Sequence, residues 1–511
     1  MKRRDFLRHS TLALATTIGG CVTTSVSRMS SSAHAAPAPA VTREARSFYV
    51  DNAAGNDGGP GTSPQQAWRS IAKLNTVTFR PGDRIYFKRG GDFPGQFKPQ
   101  GSGSAGQPIV VDSYGSGELP HIHAYGKAQS SLYLHNVEYW VVRNLQVSNK
   151  GPAPQGNRAG VYVHLENFGV AHGIVLDKLW VHDVNGSPIK KQGAGAGIMI
   201  NAAGDSRYDG LQVTNCTVSN CQRNGIHFLA AGNRQHGLAR NVLVRGNKIK
   251  QVPGDCILVI GCDGALVEHN TVSDGTPLPA GEAAAGIWPF NSDNTLIQYN
   301  EVSGMQTHND GQGFDSDLAC DNTIIQYNYS HDNAGGLALV CNMGGKNLGA
   351  GNSGTIIRYN VSINDAIRPS GAVSLRVTGP VSGSKIYNNI IIIPRPAHGG
   401  GTVFKADDWR GVPDDTAIHD NIILAGQMPA VDMSLDRRTM ISGNAVYSAP
   451  GGPGLRAAGA GMMAMVAKQA AGDGHGKLLA RYASYRPTLS EAVQLVKSCF
   501  NNGKPAANAY Q

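Results

Sequence analysis

The heptapeptide LVRGNKI at residues 243–249 decides the fold, because altered copies of it return seven times before residue 450. Every copy keeps a β-rich apolar pattern, and its fifth residue is asparagine. These asparagines are Asn247, Asn270, Asn300, Asn328, Asn360, Asn389, Asn421 and Asn444. Successive copies lie 23–32 residues apart, and a fixed short strand between inserts of variable length is typical of a solenoid. The sequence therefore predicts an all-β fold, a right-handed parallel β-helix with one copy in each coil.

The asparagines predict a ladder that runs along the solenoid. Stacked coils lie about 4.8 Å apart, so equivalent side-chain amides can hydrogen-bond from coil to coil and need not be exposed to water. Weaker copies upstream place Leu145, Leu179 and Cys216 at the asparagine position. The pattern then gives about eleven coils, and we assign residues 129–450 to the parallel β-helix.

Both ends of a solenoid need caps, and the flanking segments supply candidates. Residues 41–128 are expected to form N-terminal strands and a capping helix, which Ser63-Pro64-Gln65-Gln66 opens and Asn75 ends. Residues 451–511 are expected to form a helical C-terminal cap. Its helices are predicted at 454–471 and at 488–500, the second with a capping box from Thr488 to Glu491.

The first 40 residues have the character of an export signal and a disordered tether. Arg3-Arg4-Asp5-Phe6-Leu7-Arg8 resembles a twin-arginine motif, followed by an apolar stretch too short to span a membrane. Ile18-Gly19-Gly20-Cys21 resembles a lipobox, which makes Cys21 a lipidation candidate and implies an anchor in a membrane. Cleavage after Ala35 is the alternative. We expect export by the twin-arginine route, to the periplasm, to the outer membrane as a lipoprotein, or to the medium.

Charge and cysteine content exclude several classes of function. The formal charge of +9 falls to about +5 without residues 1–36, which suits an acidic polysaccharide but does not require one. No basic run interleaved with aromatic residues indicates a nucleic-acid partner. Seven cysteines follow Cys21, and we expect most of them to be buried thiols. No CxxC pair or HExxH sequence predicts a metal site.

A second strand precedes each repeat, and its outward residues locate the candidate chemistry. Side chains alternate along a strand, so aligning these strands on their small first residue gives an outward column. The column runs Tyr162/His164, Met199/Asn201, His227/Leu229, Leu258/Ile260, Trp288/Phe290, Asp315/Asp317, Ala338/Val340, Ser374/Arg376 and Phe404/Ala406. Two carboxylates thus share the outer face one coil from a Trp and a Phe, and aromatic faces stack on sugar rings.

Asp315 and Asp317 are the leading catalytic candidates, because outward aspartates inside a strand contradict strand propensity. Like charges so close should raise one pKa and so provide an acid and a base at the same pH. Further catalytic candidates in neighbouring segments are Asp310, Glu282 and His331. Candidates for substrate binding are Trp288, Phe290, His308, Arg376, His227 and Asp332. Side-chain conformation decides between inverting and retaining geometry, so the sequence leaves the stereochemistry open.

The segment AAAGIWPFNSDNTLIQYNEVSGMQTHNDGQGFDSDLACDNTIIQYNYSHDNAGGLALVC, residues 283–341, resembles exported carbohydrate-active proteins of the parallel β-helix type. It is similar to the α-L-fucosidase and xylanase type classed as glycoside hydrolase family 141. The entry segment FYVDNAAGNDGGPGTSPQQAWRSIAKLN is similar to the N-terminal cap of such proteins. The resemblance implies glycoside cleavage with Asp310, Asp315 and Asp317 as candidates, and it leaves the substrate and their roles open.

Three functions remain open at this point. The first is a glycoside hydrolase that uses Asp315 and Asp317, or one of them with Asp310 or Glu282, on a polysaccharide or complex glycan. The second is a polysaccharide lyase acting on a uronate polymer with help from Arg376 or calcium, against which we count the absence of an outward lysine nearby. The third is a non-catalytic carbohydrate-binding surface solenoid. No cofactor is required for the first, and a calcium site is the main non-catalytic explanation of the aspartate pair. The oligomeric state is not predicted.

Overall fold

The computed structural model describes residues 44–345, 351–368, 373–393, 401–426, 429–448 and 486–500, and the two-residue strands 457–458 and 466–467. The expected signal, tether and lipidation site at residues 1–40 lie outside the described residues. Within the described ranges, no helix is long and apolar enough to cross a membrane.

Nearly all strands belong to three parallel sheets, to each of which a coil contributes one strand. The first sheet contains Ser47–Val50, Arg84–Lys88, Ile109–Tyr114, Trp140–Arg143, Val175–Asp177, Gln212–Thr214, Leu243–Arg245, Leu266–Glu268, Leu296–Gln298, Ile324–Gln326, Ile356–Arg358, Lys385–Tyr387, Ala417–His419 and Met440–Ser442. The second sheet contains Asp92–Pro94, His121–His123, Gln146–Asn149, Trp180–Asn185, Thr217–Gln222, Lys248–Lys250, Thr271–Ser273, Glu301–Ser303, Tyr329–His331, Val361–Ile363, Ile390–Ile393, Ile422–Ala425, Ala445–Ser448 and Val466–Ala467.

The third sheet, here called the site sheet, carries the candidate chemistry. In spatial order from the N-terminal end it contains Ser130–His135, Ala159–Glu166, Ala196–Ala203, Asn224–Ala230, Ile257–Ile260, Ile287–Phe290, Phe314–Ser316, Ala338–Cys341, Val373–Thr378, Thr402–Asp407, Ala430–Asp432 and Ala457–Ala458. Two small parallel pairs flank the coils: Val170–His172 with Arg207–Asp209, and Ala283–Ala284 with Asn309–Asp310. The predicted parallel β-helix is confirmed.

The asparagine ladder lies at the corner between the first and second sheets. Asn328 is 1% exposed, and its Oδ1 accepts hydrogen bonds from the backbone N–H and the side-chain Nδ2 of Asn300, at 2.9 and 3.0 Å. Its own Nδ2 donates to Asn360 Oδ1 and to the carbonyl of Ile297, both at 3.0 Å. The same pattern repeats from Asn247 to Asn444. Each buried amide is therefore satisfied by its neighbours, as the sequence predicts.

The residue before each asparagine adopts a left-handed backbone, which turns the chain through the corner. In three consecutive coils this residue is a tyrosine: Tyr299, Tyr327 and Tyr359 have φ of 52°, 54° and 55°. Their rings stack with centroids 5.3 and 5.2 Å apart. A bulky residue with positive φ is unusual and strained. The same three tyrosines stack their rings on the outside of the coils, and such ring pairs are stabilising.

The N-terminal region departs from the expected cap in two respects. Its strands, beginning with Ser47–Val50, already belong to the first two sheets, so the coils start well before residue 129. The expected single helix is split into a 3₁₀ turn, Pro64–Gln66, and an α-helix, Ile71–Leu74. Between them Trp68 pairs with Val50 in a parallel bridge and donates its indole N–H to Gly59, which interrupts the helix. Ser70 rather than Ser63 caps the α-helix, since its side chain accepts the backbone N–H of Lys73.

The C-terminal region also differs from the expectation of an end cap. The described residues between 454 and 471 form short strands, Ala457–Ala458 and Val466–Ala467, and not the helix that we expected; the rest of that segment lies outside the described residues. The second helix, Leu489–Cys499, is present with the predicted capping box at Thr488 and Glu491. It packs against the strands Tyr329–His331 and Val361–Ile363 of the second sheet, on the side of the coils. Its buried residues form one apolar cluster with Tyr329, Val361, Ile363, Ile390, Ile392, Ile422 and Leu424.

Candidate active site

Three aspartates meet on the outer face of the site sheet. Within the strand Phe314–Ser316, the ring of Phe314 belongs to the core and is fully buried, so alternation turns Asp315 outward. Asp317 follows two residues later on the same face. Asp310 ends the short strand Asn309–Asp310, which pairs with Ala283–Ala284 in the insert before the site sheet. One cavity of about 410 Å³ is lined by all three carboxylates.

The rest of this cavity comes from later coils. Leu339, Cys341, Arg376 and Thr378 form part of its floor, and the segment Asp407 to Trp409 supplies the other side. A second cavity of about 190 Å³ shares Asp310, Leu339 and Arg376 with the first and extends toward Gln312 and Arg368. The two cavities therefore form one recess with Asp310 at their boundary.

Asp315 is the most buried of the three aspartates, with 4% of its surface exposed. Its Oδ2 accepts a 2.7 Å hydrogen bond from Gln312 Nε2, whereas Oδ1 has no hydrogen-bond partner among the described residues. Burial, followed by the charges of Asp317 and Asp310, raises the pKa of Asp315 well above its usual range. Asp315 is therefore the member of the pair whose protonated form is favoured by burial and by the neighbouring charges.

Asp317 is half-buried and is held by two donors. Its Oδ1 accepts the S–H of Cys341 at 3.0 Å and the backbone N–H of Leu318 at 2.6 Å. Burial raises the pKa of Asp317 to about 6, and these two donors limit the rise because they stabilise the anion. Asp317 is therefore the group of the pair that is ionised at neutral pH.

Asp310 is exposed to solvent at the boundary of the two cavities. Desolvation by the surrounding protein, together with the charge of Asp255, raises the pKa of the Asp310 carboxyl. Arg368 Nη1 donates to the backbone carbonyls of His308 and Asp310, both at 3.0 Å, and so fixes this loop. Asp310 has φ of 58°, a left-handed backbone that a non-glycine residue adopts at some cost and that is frequent at functional sites.

A fourth aspartate, Asp255, lies behind this recess, and sequence reasoning missed it. It is fully buried, and its Oδ1 accepts the indole N–H of Trp288 at 3.1 Å and the backbone N–H of Ala285 at 3.2 Å. Trp288 is only 6% exposed, and Lys190 Nζ lies 5.6 Å from its ring centroid. The expectation that Trp288 offers an open stacking face is therefore wrong, because the insert that carries Lys190 covers the ring. Trp288 holds Asp255 instead.

Glu282 takes part in an ion-pair network rather than lining the recess. Its Oε2 lies 3.5 Å from Nη2 of the fully buried Arg223 and accepts the backbone N–H of Lys190 at 3.0 Å. Arg223 Nη1 in turn lies 3.5 Å from Asp255 Oδ2. The carboxylate of Glu282 thus contacts Arg223 and the insert of Lys190 and does not line the recess, and its expected catalytic role stays a prediction.

His227 and Phe290 lie on the outer face as expected but are also engaged by the protein. His227 is 6% exposed, and burial lowers its pKa to about 4, which leaves the ring neutral. Its Nδ1 lies 2.9 Å from Asn224 Nδ2, so this nitrogen is the acceptor. Half-buried Phe290 packs with Leu258 and Trp288 in an apolar cluster of the site sheet. Neither residue lines the two cavities.

Arg376 lines both cavities, but two other positions of the outward column are wrong by one residue. Leu339 pairs with Arg376 and faces outward, whereas Ala338 and Val340 are in the core. Lys405 pairs with Arg376 on the next strand, whereas Phe404 and Ala406 are in the core. Lys405 Nζ lies 2.8 Å from Asp407 Oδ1, and Arg376 Nη1 lies 3.3 Å from Asp407 Oδ2. A lysine thus does stand in the outward column, three coils from Asp315 by the strand pairing.

His331 and Asp332 belong to a different face of the molecule. His331 ends a strand of the second sheet, where its Nδ1 lies 2.8 Å from Asp332 Oδ2 and its Nε2 lies 3.4 Å from Glu301 Oε1. Asp332 also accepts two hydrogen bonds from Arg486, at 2.6 and 2.7 Å, beside the C-terminal helix. The carboxylates around His331 raise its pKa to about 9 despite burial, which lowers it. His331 and Asp332 therefore do not join the aspartates in the recess, and the catalytic role and the substrate contact expected of them stay predictions. His308 is exposed and adjoins the site through its carbonyl.

The residues that sequence reasoning missed come from inserts, from the turn that opens a strand, and from the later strands Ala338–Cys341 and Thr402–Asp407 of the site sheet. They are Lys190, Arg223, Asp255, Gln312, Cys341, Arg368, Lys405, Asp407, Asp408 and Trp409. Only Gln312 could have been found from the sequence, because it lies three residues before Asp315. The inserts carry no repeat, so their place over the site sheet had no signal in the sequence.

Residues 196–391 match a protein-family model that is described as "Right handed beta helix region". The chain is 27% identical over 452 residues to the lacto-N-biosidase of Bifidobacterium longum subsp. longum, an alignment that covers 69% of this chain and 28% of that protein. The chain thus spans little more than a quarter of the length of this curated relative.

A solved structure of another lacto-N-biosidase is also similar to this chain. The native GH136 lacto-N-biosidase from Eubacterium ramulus superposes with a TM-score of 0.59 at 25% identity, covering 78% of this chain and 68% of that one. These similarities support a likeness to parallel β-helix glycoside hydrolases and do not support family 141 in particular. The chain is similar over most of its solenoid to lacto-N-biosidases of the GH136 type.

Proposed function

We propose that this protein is a glycoside hydrolase whose reaction takes place in the recess formed by Asp310, Asp315 and Asp317. The observation that carries the proposal is one cavity of about 410 Å³ lined by three carboxyl groups with raised pKa values. Glycoside hydrolysis needs one protonated carboxylic acid for the leaving oxygen and one ionised carboxylate. The likeness to lacto-N-biosidases supports the same reaction class.

The environments of the three aspartates favour a division of roles. Asp317 is the ionised carboxylate, because the Leu318 N–H and the Cys341 S–H stabilise its anion. Asp310 is the proton donor, because it is exposed to the recess and its pKa is raised. Asp315 is too buried to reach a glycosidic oxygen, and it acts as a neutral carboxylic acid beside Asp317. This assignment replaces the adjacent pair Asp315 and Asp317 with Asp310 and Asp317.

For the substrate, we infer a complex glycan that ends in a lacto-N-bioside unit, on the name of the relatives alone. The first substrates to test are therefore an aryl lacto-N-bioside and an oligosaccharide with the same terminal disaccharide. A panel of plant, algal and bacterial polysaccharides, assayed for new reducing ends, covers the wider class. Activity on the panel without activity on lacto-N-biosides keeps the reaction class and changes the substrate.

Three amide variants test the roles. Asp317→Asn should lower kcat by roughly 10³-fold or more on both substrates, because an amide supplies no anion. Asp310→Asn should lower kcat by roughly 10²–10⁴-fold on the oligosaccharide but far less on the aryl glycoside, whose leaving group needs little protonation. Asp315→Asn should lower kcat less than roughly 10-fold, since an amide resembles a neutral carboxylic acid.

A matched control is Asp263→Asn, which changes an aspartate at a corner of the coil, 3.6 Å from Arg240, outside the recess. This variant should keep full activity and stability. Full activity of both Asp310→Asn and Asp317→Asn would refute the site. A loss in Asp315→Asn as large as in Asp317→Asn would restore the adjacent pair. Azide rescue of Asp317→Ala, with a glycosyl azide of inverted configuration as product, would place Asp317 on the face of attack, and the anomeric configuration of the first product of the wild-type enzyme, read by NMR, would decide between a retaining nucleophile and an inverting base.

A polysaccharide lyase remains the second candidate, because Arg376 lines the recess and Lys405 pairs with it on the next strand. β-Elimination leaves an unsaturated uronate that absorbs in the ultraviolet, whereas hydrolysis does not. We expect reducing ends without that absorbance and without sensitivity to chelators. An absorbing product that disappears in Lys405→Ala would establish the lyase. Binding of glycans without turnover of any would instead favour the non-catalytic solenoid.

A further inference from the structure

A second group of side chains lies far along the coils from the recess, at the N-terminal edge of the second sheet. Asp92 is in the edge strand Asp92–Pro94, and His121 and His123 are in the next strand. In the parallel register Asp92 pairs with His121, and Phe93 pairs with Ile122. Phe93 and Ile122 are buried in the core, so alternation places Asp92, His121 and His123 together on the outer face.

The potential ligand atoms of these residues converge. Asp92 Oδ1 lies 3.1 Å from His121 Nδ1 and 2.9 Å from His123 Nε2. All three atoms lie within 4.8 Å of one another. A tetrahedral zinc ion with bonds of about 2.0–2.1 Å holds its ligand atoms roughly 3.3 Å apart. The observed spacing is thus close to the spacing that such an ion requires.

His123 provides an independent reason to expect an ion. Its side chain is 2% exposed, and within the described part of the chain neither ring nitrogen has a hydrogen-bond partner. The 2.9 Å approach of Asp92 Oδ1 to Nε2 is a charge contact that lacks hydrogen-bond geometry. An unpaired polar group buried in this way costs roughly 1–3 kcal/mol. A metal ion bound to Nε2 would remove that cost at one of the two nitrogens.

His121 is oriented by a neighbour in the manner of a metal ligand. Its Nε2 lies 2.8 Å from Ser148 Oγ, while its Nδ1 faces Asp92. Two tautomers fit these contacts: Nδ1–H can donate to Asp92, or Nε2–H can donate to the serine hydroxyl and leave the Nδ1 lone pair to bind a cation held between the ring and the carboxylate. A metal-bound imidazole commonly donates its other N–H to a neighbour in this way.

We propose that Asp92, His121 and His123 bind one divalent transition-metal ion, with zinc as the ion best suited to two imidazoles and one carboxylate. Asp92 is 58% exposed, which leaves the site open to entry and to a water molecule as fourth ligand. The ion joins the edge strand of the second sheet to the following coil. Its role is therefore to hold the first coils together, and it does not depend on the proposed function.

Zinc binding by the full chain tests the proposal. Protein stripped with a chelator is titrated with Zn²⁺ against a competing chromophoric chelator, and the metal retained after gel filtration is measured. We expect one tightly bound zinc per chain. Saturation should raise the thermal midpoint by roughly 2–5 °C, since the ion binds the folded state alone. Mg²⁺ should not reproduce the shift, because its preferred ligands are oxygen atoms.

Asp92→Asn is the principal variant, because an exposed side chain is changed and folding is not threatened. It should weaken zinc binding at least 10-fold and abolish the thermal shift. His123→Ala should have the same effect on zinc binding and on the thermal shift. The control is His135→Ala, which alters a histidine whose ring lies 5.3 Å from that of His164 on the site sheet, and which should leave binding unchanged. No zinc retained by the wild type would overturn the proposal, and so would equal binding by Asp92→Asn and His135→Ala. Either of these two outcomes would mean that Asp92, His121 and Ser148 form a chain of hydrogen bonds and bind no ion.

Discussion

Replacing Asn328 by leucine should destabilise the solenoid by an amount that can be counted from the ladder. The change removes the acceptor of two hydrogen bonds, from the backbone N–H and from one side-chain N–H of Asn300. Both donors remain buried, because Asn300 is 0% exposed. A buried donor left without a partner costs roughly 1–3 kcal/mol, so two of them cost roughly 2–6 kcal/mol.

Leucine is the informative replacement because the chain already uses it at this position. Leu145 and Leu179 occupy the equivalent corner of two upstream coils and are buried there. The shape of leucine is therefore compatible with the corner, and the expected loss comes from the hydrogen bonds.

Asn247→Leu is a graded control for the same argument. Asn247 is the first rung of the ladder, and its Oδ1 accepts one hydrogen bond, from the backbone N–H of Cys216 at 2.9 Å. Only one donor is orphaned there, so the expected cost is roughly 1–3 kcal/mol, half of that for Asn328→Leu.

The measurement is urea denaturation followed by circular dichroism, with the midpoint and slope compared between wild type and the two variants. A free energy of unfolding for Asn328→Leu within about 0.5 kcal/mol of wild type would refute the reasoning, since that range is typical of surface changes. A larger loss in Asn247→Leu than in Asn328→Leu would refute the count of orphaned donors.

Four further outcomes follow from the site and the termini. Activity should rise as the pH increases through about 6, where Asp317 ionises, and Asp310→Asn should remove the fall at higher pH; a profile flat across pH 6 would contradict the first role. Asp315→Asn should leave the protein at least as stable at neutral pH, because a pKa raised in the folded state makes stability decrease as pH rises through that window; a large loss in thermal midpoint would contradict this. The His331 interaction should contribute stability below about pH 6.5 that is lost as the pH rises through about 9, and His331→Gln should flatten that part of the stability curve. Replacing Arg3 and Arg4 by lysine should leave precursor in the cytoplasm, and fatty-acid labelling should be lost in Cys21→Ala; normal export or unchanged labelling would reject the respective signal.

The fold was predictable because a buried asparagine needs partners for the hydrogen bonds of its side-chain amide, and equivalent asparagines in stacked coils supply them. An asparagine repeated at each corner indicates stacking, whatever the length of the inserts between. The outward column was less secure, because each strand had to be aligned from its own start. The coil of Leu339 is offset by one residue after Gly335-Gly336, and the coil of Lys405 is irregular between Thr402 and Phe404. One extra residue exchanges the inner and outer faces of a strand.

The site was predictable where it lies on strands and not where inserts cover them. Asp315 and Asp317 broke the strand pattern, which made them visible. Trp288 also faces outward, but the insert that carries Lys190 closes over its ring, and no repeat predicts the path of an insert. Asp255 was not singled out, because its burial depends on Arg223 and Trp288 from the neighbouring coils.

The helix Leu489–Cys499 gives this solenoid a different order of assembly from that of a simple repeat array. Coils that touch only their neighbours can form one after another as the chain leaves the ribosome. This helix instead returns to coils made long before, and Arg486 reaches Asp332 across 154 residues. Until this helix is synthesised, the apolar strip of Ile390, Ile392, Ile422 and Leu424 lacks the helix with which it forms one cluster. The C-terminal helix thus packs late, and it covers an apolar surface that could otherwise associate with other chains.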